Sequence, residues 1–185
     1  MRLLAPLLRL GDEMADEASR ASAFLFEQNK IVKGSRLFHA FSMSLNSFLP
    51  HVDTQEIGMR FNLNKSRCSE VFKKPTKDGG EVDTYLLDEI YERTFKTFRE
   101  CLYYNRFVSD KLRFNSVSVT IEFYDDDNFI PFFDTIGYRL QEKGYPRLKE
   151  KNVYALCGKD LEKDGAKLDG EFVKNNMRAD GNQGQ

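Results

Sequence analysis

Tryptophan is absent from this 185-residue chain, histidine occurs twice, cysteine three times and proline five times. With His39 and His51 as the only imidazoles, acid–base and nucleophilic mechanisms that depend on histidine have few residues to draw on. Cys68, Cys101 and Cys157 are odd in number, far apart and without metal-ligand spacing. They read as reduced thiols of a cytoplasmic protein, not as a disulfide framework or a zinc site. A Cys68–histidine pair has the residue types of a thiol catalyst, but no local signature accompanies it, and a buried thiol with a surface histidine is the plainer reading. No apolar run approaches the ~20 residues that a membrane helix needs. The short run Leu3–Leu8 is too brief for a secretory signal, and an organellar presequence is the other reading of Met1–Leu10. An excess of either charge is missing as well: 28 basic against 29 acidic side chains leave a net charge of −1. That balance excludes a protein that coats nucleic acid and makes any anion binding local. A phosphate-cradling glycine loop is also lacking, since Gly79-Gly80 has neither the glycine spacing nor the lysine such a loop requires and reads as a turn.

What is abundant is aromatic bulk, with 16 Phe and 8 Tyr to fill one core. From Leu3 to Leu49 the pattern is helical. Asp12 and Glu13 mark a helix start, and Met14, Ala18, Ala21, Leu25 and Gln28 trace one face. Gly34 interrupts, and Ser35 is placed to cap a second helix with Leu37, Phe38, Phe41, Leu45, Phe48 and Leu49 inward, ended by Pro50. In Gln55–Asn64, Ile57, Met59, Phe61 and Leu63 alternate with Gly58, Arg60, Asn62 and Asn64, which predicts a strand. A charged loop follows from Lys65 to Gly80. Asp83 is then placed to cap the longest helix, with Leu87, Ile90, Tyr91, Phe95, Phe98, Cys101 and Leu102 as its apolar ridge. Val117, Val119, Ile121 and Phe123 alternate with Ser116, Ser118, Thr120, Glu122 and Tyr124 in a second strand. Phe129, Phe132, Phe133, Ile136 and Leu140 recur at helical spacing until Gly144 and Pro146. Asn152–Cys157 reads as a short third strand. From Gly158 onward the composition is that of a solvated, charged tail, with a weak docking segment of Leu161, Leu168, Phe172 and Val173 as the lesser alternative.

Strict alternation argues against a parallel sheet covered on both faces, whose strands read as continuous apolar runs. The expectation is an α+β fold: a small, mostly antiparallel or mixed sheet with helices on one face, of ferredoxin-like character. An N-terminal helical segment (1–50) packs on an α/β core (51–158), and a charged tail (159–185) follows.

Three places carry candidate chemistry. Asp125-Asp126-Asp127, with Glu122 one turn back, could hold a divalent cation for phosphodiester chemistry, but Asp127 or Asn128 as a helix cap accounts for the run without a ligand. Lys65, Arg67, Lys73, Lys74 and Lys77 form the basic concentration of the chain. With Arg60 and Tyr124 or Tyr154 on the wetter sheet face they could cradle single-stranded RNA, although no strand carries the aromatic octamer of an RNA-recognition sheet. The same loop and the face carrying Arg60, Ser118, Thr120, Glu122 and Tyr124 also fit a protein partner. The reading that follows is a non-catalytic intracellular protein-interaction module, a regulator or inhibitor, for which no cofactor or metal is expected. RNA binding and the metal-dependent enzyme stand as the alternatives.

Overall fold

The alternation in Glu56–Asn64 and Ser116–Tyr124 becomes the two central strands of a mixed sheet. In the computed structural model, residues 4–15, 25, 26, 28, 30–125, 130–141 and 152–177 are described. In chain order they form α1 (Leu4–Met14), α2 (Lys33–Ser44), β1 (Leu45–His51), β2 (Glu56–Asn64), the short α3 (Lys65–Ser69), β3 (Val71–Pro75), β4 (Glu81–Tyr85), α4 (Leu86–Tyr104), β5 (Ser116–Tyr124) and β6 (Ile136–Gln141). The fold is α+β, with a four-stranded sheet in the order β1-β2-β5-β6. β2 and β5 run parallel, while β1 and β6 flank them antiparallel. A parallel pair needs a crossover, and α4 lies within the connection that supplies it.

Only one sheet face is apolar, which is why these parallel strands alternate where doubly covered ones would not. Ile57, Met59, Phe61 and Leu63 of β2 and Val117, Val119, Ile121 and Phe123 of β5 are buried with Leu86, Leu87, Ile90, Tyr91, Phe95, Phe98 and Cys101 of α4. The α4 ridge therefore buries as its periodicity predicts except at Leu102, which is partly buried against the core. α1 packs along the same helix, tied by Arg9 to Glu100 and by Glu13 to Lys96, each at 2.5 Å. Among the described residues no helix is long and apolar enough to cross a membrane.

Several local expectations change. Asp12 and Glu13 lie in the last turn of α1, which begins at Leu4. The continuation through Ala18 and Ala21 lies outside the described residues. Gly34 and Ser35 sit inside α2, so Ser35 is not its cap. α2 stops at Ser44, and Leu45–His51 is an edge strand paired with β2. Leu45, Phe48 and Leu49 satisfy a helical spacing, but the open edge of β2 offers a ladder that a longer helix could not complete. Asp83 does not cap α4: it lies in β4 and pairs across the β3–β4 hairpin with Lys73. That hairpin turns at Gly79, whose φ of +81° is the left-handed region that glycine enters without steric cost. Ile136–Gln141 is a strand, not a helix, with Ile136, Tyr138 and Leu140 inward and Gly137, Arg139 and Gln141 outward. The chain doubles back after β5, with Asp125 N–H donating to the Ile130 carbonyl at 2.9 Å, so a hairpin stands where a strand-to-helix junction was expected. The capping expected of Asp127 or Asn128 falls outside the described residues.

The C-terminal segment departs furthest from its composition. Asn152–Cys157 holds a helical turn, α5 (Tyr154–Cys157), where a strand was expected. A 3₁₀ turn (Gly158–Leu161), the strands β7 (Glu162–Lys163) and β8 (Ala166–Lys167), and α6 (Gly170–Asn175) follow. Asp164 and Gly165, at φ +53° and +79°, form the two-residue turn of that hairpin, an Asp-Gly pairing suited to it. Asp169 caps α6 by accepting from Phe172 N–H at 2.8 Å. Leu161, Leu168 and Val173 are buried in the main core, so the docking alternative describes this stretch and the solvated tail does not.

Cys68, Cys101 and Cys157 are buried thiols, none in a disulfide. Burial pushes the Cys101 thiol up to about 12, far from the thiolate that reacts. In the native protein at mildly alkaline pH none of the three should react with a disulfide reagent within minutes, and all three should react on denaturation. Rapid labelling of the folded chain would contradict this packing.

Candidate interaction surface

The residues that β2, β5 and β6 turn away from the core form one polar face. Strand register sets its rows: Gly58 opposite Ser118 opposite Arg139, Arg60 opposite Thr120 opposite Gly137, Asn62 opposite Glu122, and Asn64 opposite Tyr124. Because strand side chains alternate, the period-two pattern alone brings Arg60, Ser118, Thr120, Glu122 and Tyr124 to a single surface.

That surface is braced at one end. The Glu56 carboxylate accepts from Ser116 Oγ at 3.1 Å and Ser118 Oγ at 2.9 Å, and Arg139 Nη2 lies 2.7 Å from its second oxygen. Arg139 also donates to Ser116 Oγ at 3.0 Å. With its amide turned to satisfy its neighbours, Asn62 donates to Glu122 Oε2 at 3.3 Å and accepts from Asn46 at 3.3 Å. Arg60 is different. It is exposed, and among the described residues it makes no ion pair or hydrogen bond.

The basic concentration does not form one loop. Lys65 and Arg67 lie on α3, which Asn64 caps by accepting from Arg67 N–H at 3.0 Å. Lys73 is paired with Asp83 across the hairpin, and that carboxylate raises the Lys73 pKa. Lys74 lies 2.7 Å from Glu89 and 2.6 Å from Glu92. Burial pulls the Lys74 ammonium down, but its hydrogen bonds to those carboxylates outweigh it and hold the group above its ordinary value. Glu89 is itself buried and also binds Arg93 at 2.6 Å, whose guanidinium lies over the Phe38 and Phe41 rings. Lys74 is thus a tie between the hairpin and α4. Lys77 stands at the exposed hairpin tip. Tyr154 is not on the sheet face: it lies in α5, its ring packed edge-on against Tyr91.

Sequence reasoning missed Glu56 and Arg139, the residues that hold the face together. Arg139 was hidden in an expected helix, and the partners of Glu56 lie some sixty positions away. The alternation of Ile136, Tyr138 and Leu140 was the available signal.

The remaining candidates stay apart. His39 on α2 keeps Nδ1 buried without a partner, His51 lies beside Gly58 on the polar face, and neither is hydrogen-bonded to Cys68. Among the described residues no group of three or more His, Cys, Asp or Glu side chains is arranged to hold a metal ion. Asp126 and Asp127 lie outside them.

This is an α+β protein whose sheet has one helix-covered, apolar face and one polar face that no described helix covers. The chain belongs to the HD-CE family, whose model matches residues 1–96. The matched stretch ends within α4, so β1 and β2 of the polar face lie inside it and β5 and β6 beyond it. No curated protein and no solved structure matches the chain.

Proposed function

We propose that this chain is an intracellular protein-interaction module, a regulator or inhibitor, that engages a protein partner through the polar sheet face. The observation that carries the reading is Arg60: an exposed guanidinium without a partner among the described residues, opposite Thr120 and flanked on the neighbouring strand by Ser118 and Glu122, on a sheet backed by α4. Arginine offers a planar fork of donors suited to a carboxylate or carbonyl pair on a partner, and on a braced sheet it needs little reordering to use them. The ion pairs of Lys73 and Lys74 weigh against the nucleic-acid alternative, because those charges are already neutralised by the protein's own carboxylates.

An Arg60→Glu, Thr120→Arg double variant reverses one charge at the centre of the face and adds bulk beside it. Both positions point away from the core, so its melting curve should match the wild type. Recovery of the native partner should fall, with affinity at least about thirtyfold weaker, as expected when a desolvated charge contact is replaced by a like-charge one. Unchanged recovery by the folded variant removes this face. A complex with single-stranded RNA that weakens steeply with salt would instead favour the nucleic-acid alternative.

A further inference from the structure

A second surface lies where the stretch leading into β6 meets the C-terminal segment. Phe133, Asp134, Lys163, Asp164, Phe172 and Asn176 line a cleft of about 170 Å³ there. The Phe133 and Phe172 rings meet edge to face, with centroids 6.5 Å apart and planes at 85°. One wall of this cleft carries the protein's own cation. Lys163 Nζ lies 2.7 Å from Asp134 Oδ2 and 5.6 Å from the centroid of the Phe133 ring. An aromatic face attracts a cation through its quadrupole, and a carboxylate beside it fixes where the charge sits. Lys163 and Asp134 are both about half exposed, and an ion pair so placed is weakly held against solvent.

We propose that this cleft receives a lysine or arginine side chain of a protein partner, which displaces Lys163 from Asp134 and the Phe133 ring. Two carboxylates, Asp134 and Asp164, repel a phosphate backbone and favour a basic peptide segment. Lys163 is the internal partner of Asp134: it stands on the two-residue strand β7, next to the Asp164-Gly165 turn, where a side chain can swing out without disturbing the core. The cleft shares no residue with the polar sheet face, so it stands or falls independently of the reading given for that face.

The test is a nuclear magnetic resonance titration of the full, nitrogen-labelled chain with Nα-acetyl-arginine methylamide, beside its neutral isostere Nα-acetyl-citrulline methylamide. The arginine probe should give saturable shifts at the amides of Phe133, Asp134, Lys163 and Phe172, and the citrulline probe none. Lys163→Ala should tighten arginine binding about fivefold and Asp134→Asn weaken it by about as much, the range set by one exposed ion pair. Both side chains are surface-exposed, so melting curves should stay near the wild type. Equal shifts from citrulline, shifts indifferent to Asp134→Asn, or no shift in either the wild type or Lys163→Ala would each overturn the proposal.

Discussion

Replacing Gly170 with alanine should destabilise the protein by about 3 kcal/mol, the upper end of what overpacking costs. For a chain of this size that is a fall in melting temperature of about 6–12 °C. An added Cβ would fall on Tyr85 Cβ and lie 2.6 Å from its Cγ and 3.0 Å from Asp88 Oδ2. Tyr85 Cβ is bonded to backbone at the start of α4, so it cannot rotate away. Gly170 is seated there because its N–H donates to Asp88 Oδ1 at 3.2 Å and because Asp169, beside it, caps α6. Burial pushes the Asp88 carboxyl above its ordinary value, the charge of Asp169 adds to the rise, and the Gly170 N–H partly offsets it. Alanine in place of a helical glycine otherwise stabilises by roughly 0.4–1 kcal/mol. Gly34 in α2 provides that comparison, since nothing lies within 4 Å of its added Cβ. Urea unfolding should therefore move in opposite directions for Gly170→Ala and Gly34→Ala. A Gly170→Ala variant as stable as the wild type would mean that α6 does not sit against α4 as described.

Leu161→Ala should cost a similar amount, about 3 kcal/mol within the range of roughly 2–5 for emptying a buried leucine site. Leu161 is fully buried, and its carbonyl accepts from Leu168 N–H at 2.9 Å, which closes the loop around the β7–β8 hairpin. If this stretch were a solvated tail, the same substitution would change stability by less than about 0.5 kcal/mol, as for most surface sites. Leu112→Ala, half exposed next to β5, supplies that second magnitude in the same measurement. Equal small effects at both positions would return the segment to solvent.

The central strands and the long helix were legible because their patterns are long and unambiguous. Nine residues of alternation in β2 and nine in β5 admit no helical reading, and the α4 ridge holds its spacing through five turns' worth of chain. Arg60, Ser118, Thr120, Glu122 and Tyr124 followed from the same alternation, since whatever points away from a buried strand face must share the other one. The edge strands were not legible. Leu45, Phe48 and Leu49 in β1, and Phe132, Phe133, Ile136 and Leu140 around β6, fit a period of 3.6 about as well as an extended chain, and short runs of that kind are settled by what lies alongside. The charges misled for a related reason. Asp83 reads as a cap, and Lys73 and Lys74 as part of one basic loop, until the β3–β4 hairpin pairs Lys73 with Asp83 and brings Lys74 to Glu89.

By itself, then, the sequence determined the period of each long element and hence which side chains share a face: an amphipathic helix behind a sheet with one dry and one polar surface. Only the tertiary structure decided that β2 lies parallel to β5 with β1 and β6 on the edges, that Glu56 meets Arg139, and that Leu161, Leu168 and Val173 join the core. The physical reason is the range of the forces. Backbone periodicity is a property of neighbouring residues, whereas strand partners, ion pairs across sixty or more positions and the burial of a charged segment depend on which distant surfaces remain open when the chain closes on itself.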